Sequence, residues 1–378
     1  MADPLLTRDA LRRSAESIIA AREPHGAIPW FPGGHTDPWD HLECLMALQV
    51  TGHLAEADTG YRWLARTQRP DGSWPMATVN GTVTETAADS NQCAYVATAV
   101  WHRWLATRDR EFVRRTWPMV RAALDFVVTL AAPGGEIWWA RDAFGQPDRK
   151  ALLTGCASTL HSLRCGVGLA ALVGERRVGW ERAATGLRHA LRAHPDSFEP
   201  LSRYSMDWYY PVIGGALRGQ AGQARLQARW AEFVVPGLGA RCVADEPWVT
   251  GAETCELAIA AHLLGARSAA RALVADMQHL RRPDGAYWTG YQFDQKINWP
   301  DEQSTWTAAA VILAVDTTAG GPTEATFRGD GLPALLPRAA LEGPPSCDCP
   351  ARRDAPVIRL TGRSSAEAGG ASRRSTSG

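Results

Sequence analysis

The chain has 378 residues and carries 40 Lys and Arg against 40 Asp and Glu, so its formal net charge is zero. This balance argues against a protein whose main partner is nucleic acid or an anionic membrane surface. No apolar run reaches the length of a membrane span, and the N-terminal MADPLLTRDALRR has no apolar secretory core, so we expect a cytoplasmic protein without a transmembrane segment.

Helical periodicity dominates the chain, and the alternation typical of strands is rare. Twelve helices are predicted near residues 5–23, 38–52, 54–68, 88–107, 110–130, 155–173, 178–193, 207–218, 222–234, 250–265, 267–281 and 303–317. Short breaks such as Thr51-Gly52 and Gly265-Ala266 join them into antiparallel hairpins. After residue 328 the composition changes to Pro, Gly, Ser and Arg, which predicts a folded domain over 1–328 and a disordered tail over 329–378.

A corner made of a helix end, a turn and an aromatic residue recurs along the chain. QRPDGSW at 68–74 follows the third helix, and residues 131–138 and 281–287 repeat its turn. Repeats of this kind indicate a closed array of similar units. With twelve helices in six hairpins, the pattern predicts an all-α (α/α)6 toroid in which six inner helices are wrapped by six outer ones.

Cysteine and tryptophan usage adds two expectations. Six of the eight cysteines lie in apolar helical stretches, which suits buried free thiols in a reducing compartment. Cys347 and Cys349 lie in the tail without a following histidine, so we predict no metal site there. The 16 tryptophans exceed the Phe or the Tyr count, and tryptophan serves both core packing and the walls of binding cavities.

The even-numbered helices share unusual starts. They begin with HTDPWDHLE, ETAADSNQCAY, LTGCASTLHS, SRYSMDWYY, WVTGAETCE and NWPDEQSTW, and then run into small apolar sequence. Helix capping explains one polar residue at each start, but not two carboxylates beside a tryptophan. If these are the inner helices, their carboxylates ring one cavity, and the ring comprises Asp37, Asp40, Glu43, Asp89, Asp207, Glu253, Glu256, Asp301 and Glu302.

Such a ring allows two chemistries. A carboxylic acid among aromatic rings has a raised pKa and donates a proton, while a better-solvated carboxylate acts as a base or stabilises a cation. The face of a tryptophan ring serves a carbocation or stacks on a sugar. Acid-initiated isoprenoid chemistry and glycoside cleavage both follow from these parts.

One corner resembles a known family. Gly60, Trp63-Leu64, Gln68, Gly72 and Trp74 are similar to the QW-type repeat of the terpenoid cyclase and prenyltransferase toroid superfamily. The strings DPWDHLE, SMDWYYP, WVTGAETCE and DEQSTWTAAAVILA resemble bacterial proteins labelled as prenyltransferases. Six-hairpin glycosidases, built on the same toroid plan, have similar corners and a carboxylate-rich mouth.

The chain also departs from that superfamily. It has no DxDD acid motif, for which DPWD at 37–40 is a loose substitute. The D-x-C of zinc prenyltransferases is missing from the folded part, and no DDxxD run that binds diphosphate through magnesium is present. No cofactor or metal is therefore predicted.

Three hypotheses follow, in order of preference. The first is an isoprenoid enzyme with Asp37 or Asp40 as proton donor and with Trp39, Trp208, Tyr209 and Trp299 lining the cavity. The second is a glycoside hydrolase with Asp207, Glu253 and Glu302 as acid and base candidates, and the third is a toroid that only binds a ligand. Further predicted substrate-binding residues are Asp89, Asn91, Tyr95, Trp248, Glu256, Trp288 and Asp301. The expected partner is a small-molecule isoprenoid or a glycan.

Overall fold

The computed structural model describes residues 5–336. Within this range thirteen α-helices follow one another along the chain: α1 Arg8–Ala21, α2 Pro38–Val50, α3 Leu54–Thr67, α4 Ser90–Thr107, α5 Arg110–Val128, α6 Leu153–Leu172, α7 Val178–Ala193, α8 Ser205–Ile213, α9 Gly219–Phe233, α10 Gly251–Leu263, α11 Arg267–Asp276, α12 Thr305–Thr318 and α13 Pro322–Arg328. The twelve predicted helices are all present. None of the described helices is long and apolar enough to cross a membrane.

The even-numbered helices α2 to α12 form a closed inner ring. Each packs on the next, and α12 packs back on α2. Inner helices are surrounded by protein, so apolar residues occupy every face, as in the run AAAVILAV of α12. Helices α3, α5, α7, α9 and α11 each pack outside the inner helix that precedes them, and α1 packs on α12. This arrangement confirms the predicted (α/α)6 toroid.

The recurring corners fasten neighbouring outer helices together. The Gln68 side-chain amide donates to the Gly72 carbonyl at 2.9 Å and to the Met119 carbonyl of α5 at 3.0 Å. Gly72 has a φ of +92°, and a Cβ there would lie 2.1 Å from the Ala122 carbonyl oxygen of α5. Gly135 approaches α7 in the same way, and Gly285 approaches α1. Each corner therefore packs on the next outer helix of the ring.

Eleven short strands lie in the connections on the side where the inner helices begin, which we call the mouth. They are β1 His35–Thr36, β2 Ala77–Val79, β3 Thr82–Glu85, β4 Ala88–Asp89, β5 Ala140–Arg141, β6 Pro147–Asp148, β7 Val234–Val235, β8 Gly239–Arg241, β9 Trp248–Thr250, β10 Gly290–Gln292 and β11 Ile297–Asn298. They form the antiparallel sheets β1-β2-β3, β4-β5-β6 and β11-β10-β9-β8-β7. Strands of two to four residues are too short to show a period in the sequence.

Helix α13, which the sequence did not predict, packs on α4, α10 and α12. The chain continues as an ordered segment, in which Leu332 and Leu335 pack against the core and the Leu336 carbonyl accepts from Thr185. The predicted domain boundary at 328 is therefore too early, because residues 329–336 belong to the toroid. The remainder of the predicted tail, with Cys347 and Cys349, lies outside the described residues.

Candidate active site

Helix capping places the first carboxylates of the mouth. Asp37 is the N-cap of α2 and accepts from the backbone N–H groups of Trp39 and Asp40 at 2.9 and 3.0 Å. Asp89 caps α4 by accepting from Asn91 and Gln92 at 2.7 and 2.9 Å. Both caps use one oxygen of the carboxylate, Oδ1. Capping thus accounts for one oxygen of each carboxylate, and the second oxygen takes no part in the cap.

Asp40 forms a carboxyl pair with Asp37. Its side chain is half-buried in the first turn of α2. Burial raises the pKa of Asp40 well above its usual range, and the negative charges of Asp37, Glu43 and Glu256 add to the effect. A raised pKa beside a second carboxyl group favours the protonated form of Asp40, which is the form required of a proton donor.

Two further carboxylates lie deeper, where hydrogen bonds occupy both oxygens. Glu43 accepts from Tyr95 at 2.8 Å, from Trp39 at 3.1 Å and from Trp306 at 2.7 Å. Glu256 accepts from the hydroxyls of Tyr209 and Tyr210. Apart from the Trp39 bond, which lies within α2, these bonds cross from one inner helix to another, so Glu43 and Glu256 position aromatic side chains at the centre of the toroid.

Glu253 lies on the first turn of α10 and is 6% exposed. Burial raises the pKa of its carboxyl, although hydrogen bonding to Thr250 works in the opposite direction. Its negative charge in turn raises the pKa of Glu256 and of Cys242. A nearly buried carboxylate of raised pKa is a stronger base than a solvated one.

Asp207 lies beside a cavity of about 210 Å³ at the mouth. Its Oδ1 accepts from the backbone N–H and the hydroxyl of Thr154, at 3.2 and 2.6 Å, and so joins α8 to the start of α6. Burial raises the pKa of Asp207, while the Thr154 bonds lower it. The cavity walls are Trp39, Asp89, Ser90, Asn91, Ile137, Trp139, Leu152, Thr154, Gly155, Cys156, Leu201, Tyr204, Met206 and Asp207.

Four of the predicted site residues line this cavity, and two more contact side chains around it. Trp39, Asp89, Asn91 and Asp207 line it directly. Tyr95 packs against the Trp39 ring, with the ring centroids 5.6 Å apart. The Tyr209 hydroxyl donates a hydrogen bond to the Glu256 carboxylate. Trp208 differs from the prediction: its indole N–H donates to the Arg225 carbonyl of α9, and its ring stacks on Phe233. The indole therefore lies between α8 and α9 rather than in the mouth cavity.

The remaining predicted residues lie around the rim. Glu302 accepts from the Trp30 indole at 2.6 Å and from Thr289 at 3.3 Å, while Asp301 is exposed on the preceding loop. Trp288 is half-buried beneath the guanidinium of Arg282. Trp248 and Trp299 form an aromatic pair on the five-stranded sheet, 4.8 Å apart at their centroids.

Sequence reasoning missed several cavity residues. Trp139, Tyr204 and Thr154 line the cavity but were not singled out. Thr154 and Tyr204 lie inside the inner-helix starts LTGCASTLHS and SRYSMDWYY, which were the available signal. Trp139 lies between α5 and β5, and nothing in its local sequence indicates that it faces the mouth.

One group of side chains in residues 5–336 is close enough to share a metal ion. Ligand atoms of His35, Asp37 and Asp40 all lie within 4.8 Å of one another. His35 is exposed, and its Nε2 is 3.9 Å from Asp37. The predicted absence of a cofactor remains a prediction.

Comparison with known proteins gives the family. No sequence profile of a known protein family matches the chain. It is 52% identical over 346 residues to the MMP endo-(1,4)-3-O-methyl-alpha-D-mannosidase of Mycolicibacterium hassiacum, covering 91% of this chain and 95% of that protein. The chain belongs to the family of this mannosidase.

Solved structures agree on the fold of the family. A wild-type glycosidase superposes with a TM-score of 0.67 at 11% identity, covering 83% of this chain and 96% of its own. The GH63 mannosylglycerate hydrolase from Thermus thermophilus gives a TM-score of 0.61 at 16% identity, covering 81% and 99%. A D-mannose isomerase gives a TM-score of 0.58 at 11% identity, covering 82% and 97%. At these identities the likeness concerns the toroid fold alone.

The prediction of isoprenoid chemistry is wrong. The relative, at 52% identity, is a mannosidase, which supports the second hypothesis over the first. The reason lies in the corner motif. Gln68, Gly72 and Trp74 contact helices α3 and α5, so the QW-like pattern reports how outer helices pack and carries no information on the reaction.

Proposed function

We propose that this protein is an endo-acting glycoside hydrolase that cleaves α-1,4-linked chains of 3-O-methylmannose. The observation that carries the proposal is the Asp37–Asp40 carboxyl pair at the mouth of a glycosidase-like toroid, because burial and the neighbouring Asp37 charge raise the pKa of Asp40 well above its usual range. The substrate class comes from the activity named for the Mycolicibacterium relative. A protonated carboxylic acid is what the departing sugar oxygen requires.

Asp40 acts as the general acid. It gives its proton to the glycosidic oxygen as the bond to the anomeric carbon breaks. The positive charge that develops on the sugar is stabilised by the carboxyl oxygens of Asp37 at the mouth and of Glu43 deeper in the ring, which are held in place by their hydrogen bonds. These groups are fixed by hydrogen bonds before substrate binds, so they do not need to reorganise during the reaction.

Glu253 acts as the second carboxylate. Asp207 holds Thr154 and Glu302 holds Trp30 and Thr289, whereas the partners of Glu253 are Thr250, at the start of its own helix, and the Cys242 thiol. Glu253 is nearly buried and has a raised pKa, which suits a base. Glycosidases use the second carboxylate to activate a water or to attack the sugar directly.

The cavity supplies groups that suit a sugar. The Trp39 ring offers an apolar face. Asn91 is 3% exposed, and its Oδ1 has no hydrogen-bond partner among residues 5–336, so a sugar hydroxyl that donates to it relieves a buried unpaired acceptor.

The test uses Asp40→Asn and Glu253→Gln with 3-O-methylmannose oligosaccharides as substrates and chromatography of the products. Each variant keeps the shape of the side chain but removes the proton or the charge, so we expect kcat to fall by about 100-fold or more. Glu111→Gln, a change to an exposed carboxylate of the outer helix α5, is the matched control and retains activity. Thermal unfolding of each variant verifies that it folds.

Two outcomes contradict the proposal. Full activity in Asp40→Asn removes its assignment as the acid. Binding of the oligosaccharide without any hydrolysis by the unaltered protein favours the third hypothesis, a toroid that only binds a ligand. NMR of the first-formed product identifies the anomer and so decides how Glu253 acts, since inversion requires an activated water and retention requires direct attack.

A further inference from the structure

A second cavity lies on the five-stranded sheet, outside the mouth. Its volume is about 480 Å³. The lining combines an aromatic pair with planar polar groups: Arg203, Val243, Glu246, Pro247, Trp248, Gln292, Gln295 and Trp299. Amide, guanidinium and carboxylate groups around an aromatic face are the combination that recognises a sugar ring, because a pyranose has an apolar C–H face and a polar hydroxyl edge.

Trp299 is unusually exposed for its size. It is 48% exposed, whereas most large side chains of the toroid are buried. The Trp248 indole N–H donates to the Trp299 carbonyl at 2.8 Å, and the two rings meet edge-on at 82°. The exposed ring is therefore held in a fixed position before any ligand binds. A rigid, preorganised aromatic face binds without losing side-chain freedom.

The two cavities are joined by adjacent residues. Tyr204 lines the mouth cavity, while Arg203 lines the second cavity and places its guanidinium over the Tyr204 ring, 5.6 Å from the centroid. Tyr204 also pairs with Val243, which lines the second cavity. The surface thus continues from Asp207 across Tyr204 to the tryptophan pair.

The second cavity also adjoins the proposed base. Strand β9 begins at Trp248 and leads directly into α10, where Glu253 lies on the first turn. Three residues of extended chain span roughly 10 Å, so a polysaccharide that occupies the mouth reaches Trp248 within a few sugar units.

We propose that Trp248 and Trp299 form a remote subsite that binds a pyranose of the substrate chain several units from the cleaved bond. The inference rests on the proposed function and deepens it, since a remote subsite selects long chains and directs cleavage to internal bonds. Trp299 supplies the stacking face, and Trp248 is the positioning residue that holds it.

The experiment compares Trp299→Ala, Trp299→Phe and Ile297→Ala across 3-O-methylmannose oligosaccharides of increasing length. In the unaltered protein we expect kcat/KM to rise with chain length until the remote subsite is filled. Trp299→Ala abolishes this rise through KM, by about fivefold to tenfold on the longest substrates, while Trp299→Phe keeps part of it. Ile297, which is 45% exposed on the same sheet, offers no ring, so Ile297→Ala keeps the full length dependence.

Calorimetric binding of a long oligosaccharide to Asp40→Asn, with and without Trp299→Ala, separates the two proposals. Equal affinity in both proteins, or equal length dependence in Trp299→Ala and the unaltered enzyme, overturns the remote subsite. If no variant hydrolyses the oligosaccharide but Trp299→Ala still weakens its binding, the proposed function fails and the subsite stands.

Discussion

Asp37 and Asp40 illustrate how two identical residues acquire different roles. Asp37 is the N-cap of α2 and accepts hydrogen bonds from the backbone N–H groups of Trp39 and Asp40. Asp40, three residues later, has no such donors among the hydrogen bonds of the described chain, and burial together with the Asp37 charge raises its pKa well above the usual range. One turn of helix therefore holds both the capping carboxylate and the proposed proton donor.

This coupling predicts a shift in pH dependence. Asp37→Asn keeps the N-cap, because Asn caps helices as well as Asp does, but removes the negative charge beside Asp40. The pKa of Asp40 then falls, although burial still holds it above the ordinary value. Activity requires protonated Asp40 and is lost as pH rises through this pKa, so we expect the alkaline limb of kcat/KM to move to lower pH.

A pH–rate profile of both proteins measures the shift. A third variant, Asp37→Ala, removes the N-cap as well as the charge. We expect it to lower the free energy of unfolding by about 1 kcal/mol, whereas Asp37→Asn leaves it unchanged. An alkaline limb that stays in place in Asp37→Asn excludes Asp40 as the acid of that limb.

Much of the site was visible in the sequence because polar residues at inner-helix starts are unusual. Asp37, Asp40, Asp89, Asn91 and Asp207 were identified in this way, and all five lie at the mouth. The direction in which each side chain points was harder to predict. Trp208, Tyr209 and Tyr210 are consecutive on α8, so their side chains point about 100° apart, and no local pattern shows which one faces outwards.

Among the elements, the corners determine how the outer helices are spaced. Their glycines are needed for two separate reasons, namely a positive φ and the lack of a side chain where the next helix approaches. The helix boundaries were predictable from apolar periodicity and breaks. The short strands and the seven-residue α13 were not, because they hold too few residues for any period to appear.

Gly72→Ala tests the second reason. The added Cβ collides with the Ala122 carbonyl of α5, and the alanine must also adopt a positive φ that is strained for a residue with a side chain. We therefore expect a loss of about 3 kcal/mol in the free energy of unfolding. Gly145 has a φ of +81° but nothing within 4 Å of a Cβ, and Gly145→Ala is expected to cost about 1 kcal/mol. Chemical denaturation compares the two, and equal losses show that the contact with α5 is unimportant.

At the scale of the whole molecule, the end of the ring opposite the mouth is closed by residues 322–336. Thr323 bonds to His102 of α4 at 3.2 Å and to Asp316 of α12 at 2.8 Å, while Phe327 is buried and its carbonyl accepts from Arg218 at 2.7 Å. Residues 322–336 are thereby bonded to α4, to α12 and to the start of α9.

Removing that segment is expected to weaken the whole toroid. A chain ending at Gly321 exposes the face on which Phe327 packs and leaves His102 and Arg218 without these partners, so we expect its Tm to be at least about 5 °C below that of a chain ending at Leu336. Calorimetry of the two proteins measures the difference. Equal Tm values mean that residues 322–336 cover the ring without stabilising it.

The ring has one junction between residues that are far apart in the sequence. There α12 packs on α2, the Trp306 indole donates to Glu43, and the Trp30 indole donates to Glu302. The proposed acid on α2 and the proposed base on α10 lie on opposite sides of this junction, with α12 between them. During synthesis the ribosome makes the acid early and the base more than 200 residues later. A full-length chain whose ring has not closed therefore has both carboxylates but no active site, and recovery of hydrolysis during refolding is a direct kinetic signal for the closing of the ring.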